Sequence, residues 1–269
     1  MSKKKLTPFE RVMLARDSER PKIDEYIDHL FSDFIELKGD RLSMDDGAIL
    51  GGIGIYHGIP VTVIGHRKGI TIEENLKANF GMPRPQGYRK AIRLMKQAEK
   101  FNRPIITFVD TPGAYPGMDA EENGQSVAIA ESMAAMSTLE VPVICVITGE
   151  GNSGGALAIA VANKVIMLEN AVYSILSPEG FASILYKDAT KSQSACEAMK
   201  MTAKELYNFG LVDEVIEEPE GGLQSDKETG FKAIDKAIYN NLKELLDLSK
   251  KKLVNERYAK FRKFDEKLF

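Results

Sequence analysis

Apolar residues recur along this chain with two different periods, and each change of period marks a new element. Between Thr7 and Lys38, Ile23, Ile27, Leu30, Phe31 and Phe34 fall three or four apart, which predicts helix. Residues 51–56 and 61–65 are short apolar runs joined by His57-Gly58-Ile59-Pro60, the pattern of a β-hairpin. No period holds over residues 68–85, so that stretch is expected to be an irregular surface loop, with Arg67, Lys68, Lys77 and Arg84 on it. From Tyr88 a helix follows, with Tyr88, Ala91, Ile92, Met95 and Ala98 on one face. Arg89, Lys90, Arg93 and Lys96 then fall mostly elsewhere, on a solvated face or one that attracts a phosphate-rich ligand.

Further on, short apolar runs alternate with helical stretches. Strand 104–109, helix 125–136, strand 141–147, helix 155–162 and strand 165–168 follow in order, the signature of an α/β protein with a largely parallel sheet. After Ser177-Pro178-Glu179-Gly180 a short helix should reach Lys187-Asp188, and another Tyr207. Residues 210–216 suggest a last strand, and 217–222 are a linker by their acid, proline and glycine content. Residues 231–269 are expected to be a charged helix suited to packing on the domain or on a partner subunit. One domain over residues 1–269 is preferred, with a core at about 38–216 and a helical extension at about 226–269.

Composition narrows the possibilities. The 269 residues are 43% apolar and 28% charged, enough to bury a full core, and a net charge of -3 leaves no footprint for nucleic acid. Cys145 and Cys196 are too few and too far apart for a disulfide framework or a zinc site, and both are expected to be buried thiols. The basic start leads into charged sequence instead of an apolar signal core, and no run approaches the roughly 20 apolar residues of a membrane span. A cytoplasmic protein with no membrane association is expected.

Candidate chemistry lies in two glycine turns. Gly149-Glu150-Gly151-Asn152-Ser153-Gly154-Gly155-Ala156 stands between an apolar run and an alanine-rich one, as strand, turn and helix. Asp110-Thr111-Pro112-Gly113-Ala114-Tyr115-Pro116-Gly117 follows the preceding strand in the same way. Without a Cβ, such turns let backbone N–H groups reach a ligand's negative oxygen. Three chemistries share this pattern. Gly149, Gly151 and Gly154 match a dinucleotide fingerprint, with Glu169 twenty residues after Gly149, although a whole αβ layer precedes it. Gly151, Ser153 and Gly155 match a nucleophile elbow, but His29, His57 and His66 all precede Ser153, the wrong chain order. Two turns that each offer main-chain donors can instead form an oxyanion hole with no catalytic side chain, which makes the scarcity of histidine unimportant.

At these residues the chain resembles the alpha subunits of the bacterial acetyl-CoA carboxylase carboxyltransferase. The likeness runs through Lys38-Gly39-Asp40-Arg41, Gly65-His66-Arg67-Lys68-Gly69, Asn79-Phe80-Gly81-Met82-Pro83 and Gly87-Tyr88-Arg89-Lys90-Ala91, both glycine turns and residues 177–185. It spans nearly the whole chain from about Asp24 to the acidic linker. The resemblance implies a crotonase-like (ClpP/crotonase) fold of repeated ββα units with helical N- and C-terminal segments. It also implies the reaction: carboxyl transfer from carboxybiotin, tethered to the biotin carboxyl carrier protein, to acetyl-CoA, giving malonyl-CoA for fatty-acid synthesis. The implied partners are a zinc-ribbon beta subunit that supplies much of the acetyl-CoA site, in an α2β2 assembly, and the biotin carboxylase that loads the carrier. No metal is expected in this chain. Carried onto this sequence, the N–H groups of Gly154, Gly155 and Ala156 would hold the biotin ureido oxygen. Gly113 and Ala114 would line the opposite wall, with Gly151 also at the substrate. Decarboxylated biotin would itself remove the acetyl-CoA proton. The chain departs from the family pattern in beginning near the core, without the longer N-terminal helical extension of many members. Asn152 also replaces a glycine common in the turn, where an asparagine would tolerate left-handed backbone.

Overall fold

The computed structural model describes residues 5–264. Thr7 caps α1 (Pro8–Ala15), its hydroxyl accepting from the Glu10 N–H while Glu10 returns to the Thr7 N–H. After α2 (Ile23–Leu30) the expected helix ends early, because residues 32–36 form a strand, β1 (Ser32–Glu36). The cause is tertiary. β1 lies against β2 (Ile49–Tyr56), where a Cβ on Gly52 would stand 2.2 Å from the Ile35 carbonyl oxygen and 2.6 Å from the Phe34 ring. A glycine in the partner strand, far off in sequence, makes room for β1. The hairpin of β2 with β3 (Ile59–His66) forms as expected, in continuous antiparallel register from Ile49 opposite His66 to Tyr56 opposite Ile59.

The segment expected to be irregular contains a helix, α3 (Ile72–Lys77), with Thr71 and Glu74 as a reciprocal cap. That Thr-x-x-Glu signal was present in the sequence. Then come α4 (Pro85–Lys100), β4 (Ile105–Thr111), α5 (Met118–Glu122), α6 (Gln125–Thr138) and β5 (Val143–Asn152). Every residue of β4 and β5 is buried, as in strands covered on both faces. α7 (Ser153–Leu157) is shorter than the pattern implied and begins two residues earlier, so that it includes Gly154 and Gly155. Residues 149–152 continue the strand because Gly151 pairs with Thr111 on one side, while residues 150–152 pair with β7 (Val172–Ser174) on the other. Between α7 and β7 runs β6 (Lys164–Leu168).

After residue 177 the expected short helix forms as α8 (Pro178–Tyr186), while the second divides into α9 (Ser192–Met199) and α10 (Ala203–Phe209), followed by β8 (Glu214–Ile216). The C-terminal helix likewise breaks into α11 (Lys227–Leu246) and α12 (Lys250–Arg262), with Ser249 capping the second; residues 265–269 lie outside the described part. The sheet runs β1-β2-β3-β4-β5-β6-β8, with β7 beside β5, antiparallel through β3 and parallel beyond it. One apolar cluster reaches from Ile23 to Leu253 across both faces.

Two polar regions differ from expectation. The cations of α4 are pinned: Arg89 to Asp40 at 2.9 Å, Lys90 to Asp45 at 2.6 Å and Arg93 to the carbonyls of Gly39 and Leu37. They fasten the loop before β2 to the helix, and Lys90 is only 1% exposed. Lys96 stays in solvent. The linker 217–222 carries a buried anchor, since Glu218 accepts two hydrogen bonds from the buried Arg20, which also donates to the Thr148 carbonyl. Both cysteines are buried and free, as expected.

Candidate functional site

β4 and β5 are parallel neighbours, so the turns that leave their C-terminal ends emerge side by side. The contact is between main chains. A Cβ on Gly155 would stand 2.6 Å from both the Ala114 nitrogen and the Gly113 carbonyl carbon, so only glycine permits this approach. The structure therefore brings Gly113, Ala114, Gly154, Gly155 and Ala156 together.

Their surroundings differ. Thr111 Oγ1 accepts the Gly113 N–H at 3.0 Å and donates to the Gly113 carbonyl at 2.7 Å, so this N–H is occupied by its own turn. Gly113 has φ +142°, and a Cβ there would meet nothing within 4 Å, leaving open space beside it. Gly151 is buried between strands, where a Cβ would press on Tyr173 at 2.9 Å. Gly154, Gly155 and Ala156 lie in the first turn of α7, where helix N–H groups have no preceding carbonyl to bond.

The left-handed residue of the turn is Ser153 at φ +58°, not Asn152. Asn152 is extended at φ -112° and 1% exposed, and it accepts the Ser174 hydroxyl at 2.8 Å. A strained, exposed serine at a strand-to-helix turn has the outline of a nucleophile elbow. Yet the one histidine near the turn is His66, whose ring nitrogens have no hydrogen-bond partner among the described residues. Burial pushes His66 down to about 4, although the nearby Asp110 charge opposes the shift. It is a neutral ring beneath the turn. The dinucleotide reading fails on geometry, because Gly149 and Gly151 are strand residues and Glu169 pairs with Arg11.

Directly behind the turns lies a layer of charge that sequence reading missed. Asp110, which opens the first turn, accepts from Lys68 Nζ at 2.6 Å and from the Glu150 N–H at 3.0 Å. Its carboxylate fills the space that a side chain on Gly149 would need, with Oδ1 2.4 Å from the Cβ position. Lys68, expected on a surface loop, is largely buried and also lies 3.5 Å from Glu150. Burial works against the Asp110 charge, but Lys68 holds the carboxyl below the usual carboxylate range. At the rim, Arg84 pairs with Asp119 and lies 4.0 Å from the centre of the Tyr115 ring. The available signal was position: Asp110 ends a strand, and Lys68 stands two residues after one.

Beside Ser153 and Gly154 opens an apolar cleft of about 560 Å³. Tyr173, Ile175, Phe181 of α8, Leu206 and Phe209 of α10, and Phe261 of α12 line its walls. Among the described residues no three His, Cys, Asp or Glu side chains are grouped to hold a metal, and no helix is long and apolar enough to cross a membrane.

A mixed sheet with two main-chain turns at neighbouring strand ends defines a crotonase-like protein. Its solved likenesses are carboxyltransferases and relatives. Transcarboxylase 12S superposes with a TM-score of 0.69 at 17% identity, over 91% of this chain and 46% of that one, so this chain spans about half its length. A Pseudomonas malonate decarboxylase hetero-tetramer in complex with coenzyme A gives 0.67 at 15% identity, covering 84% of this chain and 92% of that one. The acetyl co-enzyme A carboxylase carboxyltransferase-like family model matches residues 2–265, and the chain belongs to that family. Proteins named acetyl-coenzyme A carboxylase carboxyl transferase subunit alpha are 54% identical in Geobacillus kaustophilus, over 98% of this chain and 81% of theirs. The one from Clostridium botulinum is also 54% identical, over 96% and 94%.

Proposed function

We propose that this chain is the alpha subunit of an acetyl-CoA carboxylase carboxyltransferase, moving a carboxyl group from carboxybiotin on a carrier protein to acetyl-CoA to give malonyl-CoA. The observation that supports the reading most is the main-chain contact of Gly155 with Gly113 and Ala114, which brings the two glycine turns side by side. The residues fit a ureido group: small, uncharged and rich in donors, beside an apolar cleft. Carboxybiotin, when bound, supplies the activated carboxyl group.

In this reading Gly154, Gly155 and Ala156 donate to the ureido oxygen, and Ala114 faces them. Fixed dipoles there draw electron density from the leaving nitrogen without reorganising as charge develops. Gly113 and Gly151 hold the turn and the strand in place, since their own backbones are engaged or buried. Ser153 shapes the turn and is not a nucleophile. The chain acts as one carboxyltransferase domain and works in the cytoplasm. A zinc-ribbon beta subunit completes the acetyl-CoA side in an α2β2 assembly, fed by biotin carboxylase through the biotin carboxyl carrier protein.

The test is coexpression with the beta subunit of the same genome, followed by an assay of malonyl-CoA-dependent carboxylation of free biotin. Turnover by the assembly with almost none from this chain alone is expected. Equal turnover by the chain alone would remove the shared-site reading, and an intact but inactive assembly would remove the enzyme reading.

A further inference from the structure

The far wall of the apolar cleft is built of helices and meets the sheet through one isolated bridge, between Thr202 after α9 and Val172 of β7. α8 carries Phe181 into the cleft, and α9 ends at Met199 on its rim. The first turn of α8 is tied to the end of β5 by the side chain of one arginine. Arg16, at the end of α1, donates from Nε to Glu150 at 2.8 Å and from both terminal nitrogens to Glu179 at 2.7 and 3.2 Å. Glu150 belongs to the last residues of β5, three positions before α7, and Glu179 to the first turn of α8. A single planar guanidinium thus bridges the strand that presents the donors and the helix that faces them.

The rest of α1 reinforces the bridge. Val12 and Ala15 pack with Val172 of β7, Cys196 of α9 and Met201, so the helix is seated under the same wall. Burial works against the Arg16 charge, but Glu179 and Glu150 keep it above its ordinary value. Two N–H bonds to one carboxylate and a third to another, all from one planar fork, fix angle as well as distance, which a lysine ammonium cannot do.

We propose that Arg16 is a positioning residue that sets the width of the cleft between the Gly154 turn and α8, and so governs affinity for the group bound there. The claim deepens the carboxyltransferase reading and rests on it for the identity of that group. It assigns no chemistry to Arg16, which touches neither turn donor. Loss of the bridge frees α8 without disturbing β4 or β5, because Glu150 keeps its main-chain bond to Asp110.

The experiment compares Arg16→Ala, Arg16→Lys and Glu179→Gln in the full chain assembled with the beta subunit, using free biotin as the probe at saturating malonyl-CoA. Arg16→Ala should raise KM for biotin at least tenfold and leave kcat within about threefold. Arg16→Lys should recover part of the loss. Glu179 is 44% exposed, so Glu179→Gln tests the α8 arm with little risk to folding, and KM should rise in the same direction by a smaller factor. Amide exchange on the chain should quicken at least tenfold over Pro178–Tyr186 and stay unchanged over residues 143–148. An unchanged KM in Glu179→Gln with unchanged exchange in α8 overturns the proposal, as does a fall in kcat with KM constant in Arg16→Ala. If the wild-type assembly carboxylates no biotin, the carboxyltransferase reading fails, while exchange in α8 still decides whether the bridge holds the wall.

Discussion

The two glycine turns and the layer immediately behind them follow opposite chemical rules. In front, Gly113, Ala114, Gly154, Gly155 and Ala156 offer main chain and almost no side chain, and the close approach of the turns excludes even a methyl group at 155. Behind, Asp110, Glu150 and Lys68 form a network of paired charges, with both Asp110 and Glu150 buried. Fixed dipoles act on a ligand only if the backbone that carries them is held rigidly. The charges supply that rigidity where apolar packing cannot, because the Asp110 carboxylate bonds the Glu150 N–H of the other turn. The front is intolerant of volume and the back of lost charge.

The largest expected effect lies in the back layer. Asp110→Ala strips Lys68 of its closest partner, and an uncompensated buried charge typically costs about 3–5 kcal/mol. Urea unfolding of the purified chain should show that loss; a cost under about 1 kcal/mol would mean the pair is effectively solvated. The pH sign follows from the depressed carboxyl. Its stabilisation is complete above the ordinary carboxylate value near 4 and disappears as pH falls through the lower value of the folded state.

Next comes the front. Gly155→Ala forces the turns apart and should cut biotin carboxylation by about 10²- to 10³-fold, as loss of one oxyanion donor does. Gly154→Ala sharpens the point, because its Cβ would meet only the side chain of Ile129, at 3.2 Å. That variant should stay within about threefold, the range of small surface changes. Equal losses from the two variants would show that volume anywhere in the turn matters and that the 155 contact is not special.

His66 lies between the layers and separates them by pH. Its folded value of about 4 lies below the roughly 6.5 of an unfolded chain, so below pH 6.5 only the unfolded state takes up the proton. Stability should fall by on the order of 3 kcal/mol between pH 6.5 and 4 on this account. His66→Gln should flatten that part of the profile in denaturation measured at pH 7 and pH 5. An unaltered slope would assign it to other groups.

The smallest effect is expected from Ser153→Ala, which should change turnover by no more than about twofold. A loss beyond a hundredfold with the fold intact would restore the nucleophile reading that the buried, partnerless His66 argues against.

Local pattern was enough to determine the hairpin, the parallel strands β4, β5 and β6, the helices α4 and α6 and the glycine turn after β4, since apolar period and turn residues act within a few positions. The cap at Thr71 was equally local, and its helix was legible from Thr-x-x-Glu. Tertiary structure decided what depends on a distant partner. Residues 32–36 became strand because Gly52 makes room for them, and residues 149–152 stayed strand because β7 pairs beside them. Lys68, Lys90, Arg20 and Glu218 look like solvated charges in a linear chain, and only the fold brings each to the partner that permits its burial. The sequence determined which backbone could approach a ligand, because glycine and alanine carry that property themselves. Which charges hold that backbone still was left to the tertiary structure, because an ion pair depends on where two residues meet and not on where either stands in the chain.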